Sequence, residues 1–108
     1  MAITTKNLAS GQLGSSIADI YVCPAVTKAV VKSISLVNGG AWYEFVSLYF
    51  KPSGGTARKI IPYKTMLGEC ECLETTGIYT LGAGDSIQGY TNTASTVDYV
   101  ISGVEETA

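Results

Sequence analysis

Two clusters in this chain hold residue types able to do chemistry. One is Glu69-Cys70-Glu71-Cys72-Leu73-Glu74. Cys70 and Cys72, two apart on a strand, would point to the same face and could approach one metal ion. Structural zinc sites, however, use about four ligands and space paired cysteines more widely, and the only other thiol is Cys23. Free cysteine otherwise packs as a small apolar residue, so Cys70 and Cys72 are expected in the core and no metal is expected. Glu69 and Glu71 would stand roughly 7 Å apart on a shared strand face, a separation within the range a glycosidase uses. Alternating with cysteines that seek the core, the glutamates are expected to face solvent, with an ionic contact to a neighbouring subunit as the functional option. The chain has no histidine, which removes the commonest general base and metal ligand and any Ser-His-Asp or Cys-His nucleophile. No catalytic residue is expected, and the chain is read as a non-enzyme.

The second cluster is aromatic: Trp42, Tyr43, Phe45, Tyr49 and Phe50, with Lys51, Arg58 and Lys59 nearby. Exposed rings beside basic groups would make a stacking platform for a sugar or a single strand of nucleic acid. Alternating aromatics on a central strand more commonly form core or a subunit interface. The residues expected to contact a partner are Trp42, Tyr43, Tyr49, Lys51, Arg58 and Lys59. Gly82-Ala83-Gly84-Asp85 lacks the third glycine and following helix of a dinucleotide fingerprint, and Gly54-Gly55 lacks the Gly-Lys-Ser/Thr ending of a phosphate loop. No cofactor is expected; Asp85 reads as a turn residue bonding nearby backbone.

The elements that must position these residues are strands. No window carries apolar residues at helical spacing for three turns, whereas short runs of Val, Ile, Thr, Tyr and Phe recur between Gly, Pro, Asn and Ser. Strands are predicted at 17–22, 29–37, 42–50, 58–63, 68–73, 78–81, 86–90 and 97–104. Val30, Ile34 and Leu36 share a parity with Lys32, which implies a rim position or a bulge there. Asn38-Gly39-Gly40 should supply a tight turn at positive φ. On 42–50 the even positions carry Trp42, Val46, Leu48 and Phe50, and the odd ones Tyr43, Phe45 and Tyr49; a strand apolar on both faces is central or covered by a partner. About 7–8 antiparallel strands at this spacing predict an all-β chain, a single β-sandwich of jelly-roll or immunoglobulin-like form spanning 15–108. Residues 1–14 would form an N-terminal arm that orders on a partner.

With 46% hydrophobic and 15% charged residues in 108, the chain can bury one core and has little polar surface, which suits a life against a partner. All seven basic residues lie at or before Lys64, opposed there by Asp19 and Glu44; Glu69, Glu71, Glu74, Asp85, Asp98, Glu105 and Glu106 follow with no base among them. Either interleaved strands mix these charges in space, or the subunit is bipolar and its basic patch meets a neighbour's acidic one. The net charge of −2 argues against duplex nucleic acid as partner. No segment has the apolar length of a membrane span, and residues 1–20 lack a continuous apolar stretch, so no export signal and reduced thiols are expected.

Tyr21-Val22-Cys23-Pro24-Ala25 running into Val30–Asn38, the stretch Leu48-Tyr49-Phe50-Lys51, and Leu81–Tyr90 with Val100–Glu105 resemble small β-sandwich virion proteins of tailed bacteriophages, found as head decoration proteins, head fibres or tail components. The resemblance covers most of the chain from about Ile17 and leaves Met1–Gly14 outside. It implies a structural protein made in the cytoplasm of a host bacterium and carried on the virion. Its partners would be capsid or tail proteins and copies of itself, in a closed homo-oligomer such as a trimer. The same resemblance admits a tail or baseplate module that binds a host-surface glycan. It transfers no catalytic residue.

Overall fold

A computed structural model describes residues 2–40, 42–75 and 77–107. Ten strands follow one another: β1 (Ala2–Gln12), β2 (Ala18–Val22), β3 (Thr27–Asn38), β4 (Glu44–Lys51), β5 (Arg58–Lys59), β6 (Thr65–Leu67), β7 (Cys72–Thr75), β8 (Tyr79–Leu81), β9 (Ser86–Thr91) and β10 (Val97–Thr107). The pairings are nested. β1 lies on β10, β2 on β9, β3 on β7 and β8, and β4 on β5 and β6, all antiparallel. That is one long hairpin. Rolling it up adds β3 to β10 and β4 to β9 and gives two sheets, ordered β1-β10-β3-β7 and β2-β9-β4-β5, with β8 and β6 extending the far edges. This is a jelly roll, the first of the two sandwich forms expected. It has ten strands rather than 7–8 because the segment read as an arm forms β1 and a separate short strand, β6, pairs with β4.

The segment 1–14, read as an arm, supplies β1, an edge strand paired to β10 from Ala2–Thr107 to Gln12–Asp98. Strand 58–63 shortens to β5, because Pro62 cannot donate to a ladder and Lys64 turns the chain at φ 54°. The span 68–73 begins as a turn, closed by Glu71 N–H to Gly68 O at 3.1 Å with Cys70 at φ 59°; its strand starts only at Cys72.

Lys32 is a bulge. Ser33 pairs with Ser102 and Val31 with Gly103, which leaves Lys32 without a register partner. The bulge reverses the parity of β3, so Thr27, Ala29 and Val31 point inward before it and Ile34, Leu36 and Asn38 after it; Val30 is therefore half-buried on the opposite face rather than beside Ile34. Gly103 has no room for a side chain against the Val30 carbonyl, as backbone approach at a bulge requires. The inward residues of both sheets, including Leu36, Val46, Leu48, Ile87 and Ile101, form one core.

A side-chain chain ties the sheets together. Tyr21 on β2 donates to Glu105 Oε2 on β10 at 2.7 Å, and Lys6 on β1 donates to Glu105 Oε1 at 3.1 Å. Burial and then this bond to Glu105 push the Tyr21 phenol well up. The Tyr21 hydrogen bond, opposed by burial and helped by the Lys6 ammonium, draws the Glu105 carboxyl down.

Candidate functional site

The six residues expected to meet a partner fall into three places along β4 and its flanks. At its N-terminal end, Trp42 and Tyr43 precede the strand and stand 79% and 66% exposed. Trp42 is therefore not part of the inward even face. With Gly68, Glu69 and Glu71 the two rings line an open cleft of about 460 Å³.

The cleft is held by Asn38. Inward parity carries this residue into full burial at the end of β3. Its Nδ2 donates to Trp42 O at 2.8 Å, Leu67 O at 3.0 Å and Gly68 O at 3.1 Å, and its Oδ1 accepts from Gly40 N–H at 2.9 Å. One amide thus fixes both walls. The expected positive-φ turn at Asn38-Gly39-Gly40 is absent; these residues keep negative φ because the side chain, not a tight turn, closes the loop. Glu71 Oε1 accepts from Gly68 N–H at 2.6 Å and seals the floor.

Glu69, Glu71 and Glu74 are exposed, as expected. Cys70 and Cys72 are exposed as well, against the expectation of core packing. The turn at Cys70 breaks the alternation that would have turned both thiols inward. Cys23 alone packs in the core, its thiol 3.4 Å from Thr27 O and 3.7 Å from Leu81 O, and burial pushes that thiol up.

At the middle of β4, Tyr49 belongs to a hydroxyl cluster on the outer face. Ser47, opposite Tyr90 in register, is buried under it, and Ser47 Oγ accepts from Lys64 N–H at 3.1 Å. The excursion between β5 and β6 lays Tyr63 and Lys64 over this face. The Lys64 ammonium sits 5.4 Å from the Tyr63 ring centre and 5.8 Å from that of Phe45, distances at which a cation is attracted to a ring. The two phenols of Tyr63 and Tyr90 act on one another: the neighbouring Tyr90 hydroxyl raises Tyr63, and Tyr63, opposed by burial and aided by Ser47 and the Lys64 charge, lowers Tyr90. Sequence reasoning missed Tyr63, Lys64 and Tyr90, which lie on three separate segments.

At the C-terminal end of β4, Lys51, Arg58 and Lys59 gather, with Tyr49 opposite Lys59 and Phe50 opposite Arg58. Asp85 reinforces this end. Its Oδ2 accepts from Gly82 N–H at 2.9 Å and its Oδ1 from Ser53 N–H at 2.8 Å, so it bonds its own turn as expected and a second turn besides. Gly54 and Gly84 take φ of 70° and 86° in these two turns, where glycine is unstrained.

The charges both mix and separate. On one sheet β10, with Glu105 and Glu106, lies between β1 and β3, with Lys6 and Lys28 opposite them or nearby. Along β4 and its flanking β5 and β6 they separate: Glu69, Glu71 and the exposed rings hold one end, and Lys51, Arg58 and Lys59 the other, where Asp85 is committed to backbone amides.

No protein-family model matches the chain, and no curated protein matches it in sequence. Among solved structures, the chain is similar to a protein of Bacillus endospore appendages, described as a novel family of disulfide-linked pili, at TM-score 0.55 and 12% identity, covering 97% of this chain and 88% of that one. It is also similar to a chain of infectious bursal disease virus strain Gx, at TM-score 0.52 and 10% identity over 96% of this chain and 32% of that one, so it spans about a third of the viral chain. A chain in the acid-stable capsid of Helicobacter pylori bacteriophage KHP30 gives TM-score 0.49 and 12% identity, over 96% and 92% of the two chains. At these identities the likeness to the spore-appendage and bursal-virus chains is one of fold.

Proposed function

We propose that the chain is a non-enzymatic virion subunit that decorates and cements the assembled head of a bacteriophage, made in the bacterial cytoplasm and carried on the particle. The observation that carries this reading is apolar surface left uncovered: Ile3, Val26, Trp42, Tyr43 and Ile78 are each at least 66% exposed on a chain with few charges. They stand at both ends of the sandwich, Ile3 and Val26 at one and Trp42 and Tyr43 at the other, as suits a subunit with neighbours on more than one side. The edge strand β1 adds an open row of backbone donors and acceptors that a neighbour can pair with.

The mechanism is passive. A subunit that binds the assembled shell and not its dissociated parts stabilises the shell by mass action. Mixing the purified protein with expanded, undecorated heads and sedimenting them tests this: co-sedimentation and a raised head melting temperature are expected, and a protein left in the supernatant overturns it.

A second reading is favoured by the outer face of the β2-β9-β4 sheet. Phe45, Tyr49, Tyr63 and Tyr90 with Lys64 offer rings, hydroxyls and an ammonium to a sugar, as a tail module binding a host-surface glycan would require. Glycan-array binding lost in Tyr63→Ala supports this reading, and a blank array for the unmodified protein removes it.

A further inference from the structure

The two ends of the β4 edge are complementary, and one molecule cannot bring them together. β4 has eight residues, so the ends lie roughly 24 Å apart at about 3.4 Å per residue. Glu69 in the cleft forms no ion pair; among the described residues the one salt bridge joins Lys6 to Glu105. Arg58 and Lys59 are exposed and equally free. Asp85, the acid that bridges the two turns at that end, has both carboxylate oxygens committed to backbone amides. The cation on the outer face between the two ends, Lys64, is engaged with the rings of Phe45 and Tyr63.

We propose that this edge is a head-to-tail contact between copies of the chain, in which Arg58 and Lys59 of one copy enter the cleft of Trp42, Tyr43 and Glu69 on the next. The chemistry of the cleft selects a cationic side chain. An exposed indole offers its face to a guanidinium, and a carboxylate beside it accepts the guanidinium N–H groups in paired hydrogen bonds. Asn38 sets the ring and the Glu69 turn at a fixed spacing, so the docked group meets a formed site. Each contact leaves the basic end of one copy and the cleft of the other unused, so the contact repeats. It closes into a ring or runs on as a filament according to its rotation. The inference concerns copies of this chain and does not depend on whether the assembly sits on a head.

Light scattering and sedimentation velocity on the full chain test it, with two charge reversals at exposed positions. Arg58→Glu with Lys59→Glu makes both ends acidic; Glu69→Lys makes both ends basic. The unmodified chain is expected to self-associate and to weaken at least about tenfold between roughly 50 and 500 mM salt. Each reversed variant, checked for an unchanged circular dichroism spectrum, should be monomeric alone. An equimolar mixture of the two should associate again, because each reversed end then meets its opposite. A monomeric unmodified chain, association insensitive to salt, or a mixture that stays monomeric overturns the contact. None of these outcomes touches head binding, which co-sedimentation reads separately.

Discussion

The two ends of the sandwich are each pinned by one short polar side chain, and they are pinned differently. At the cleft end a neutral amide, Asn38, is fully buried and serves four backbone groups in two segments. At the basic end a carboxylate, Asp85, is half-buried and serves two. A buried charge with no partner would be costly there, whereas an amide carries both donors and an acceptor into the core and needs no counter-ion. Burial of the first and partial exposure of the second follow from that. The cleft end should therefore fail more severely when its pin is removed.

The largest expected effect is at Asn38. Asn38→Ala leaves three carbonyls and one N–H without the partner they share, and should destabilise the fold by about 3–5 kcal/mol in chemical denaturation. The one tryptophan, Trp42, should report the cleft opening as changed fluorescence before the global transition.

Asp85→Ala, by contrast, frees two amides near solvent and should cost about 1–3 kcal/mol with the fluorescence of Trp42 unchanged. Equal losses at the two ends would break the comparison.

Glu105, which ties the two sheets through Tyr21, adds a pH dependence that the amide lacks. Its folded-state pKa is lowered below the ordinary carboxylate value, so its contribution is complete above that value and is lost as pH falls through the lowered one. Tyr21 is raised above the ordinary phenol value, so its contribution holds below that value and is lost as pH rises through the raised one. Glu105→Gln should cost about 1.5–3 kcal/mol near neutrality, with a much flatter acid limb in a melting-temperature series; an unchanged acid limb would count against the bond.

The smallest effect is at Gly54, where an added Cβ meets open space but φ is 70°. Gly54→Ala should cost about 1 kcal/mol from conformation alone, measured as a small shift of the denaturation midpoint.

The same contrast separates what was legible from what was not. The basic end was readable in the sequence. Pro52-Ser53-Gly54-Gly55 and Gly82-Ala83-Gly84-Asp85 are local turns whose hydrogen bonds span three residues. The cleft end was not. Asn38 read as a turn residue because of the glycines after it, although its parity with Ile34 and Leu36 was the available sign of burial. Its partners at Leu67 and Gly68 are 29 and 30 residues away, and nothing local announces them. The exposure of Cys70 and Cys72 was likewise hidden, because alternation fails wherever one residue leaves extended geometry.

Patterning along the chain is enough for an all-β sandwich, for the segments that form most of its strands, and for a bulge or rim position at Lys32. Period-two patterning and turn residues act within a few positions of each other, so they can be read along the chain. The nesting of the strands, the parity reversal that buries Asn38, and the gathering of Lys51, Arg58 and Lys59 away from the Glu69 cleft come from the folded chain. Those depend on which segments meet across the sandwich, and that is settled by the packing of the whole core.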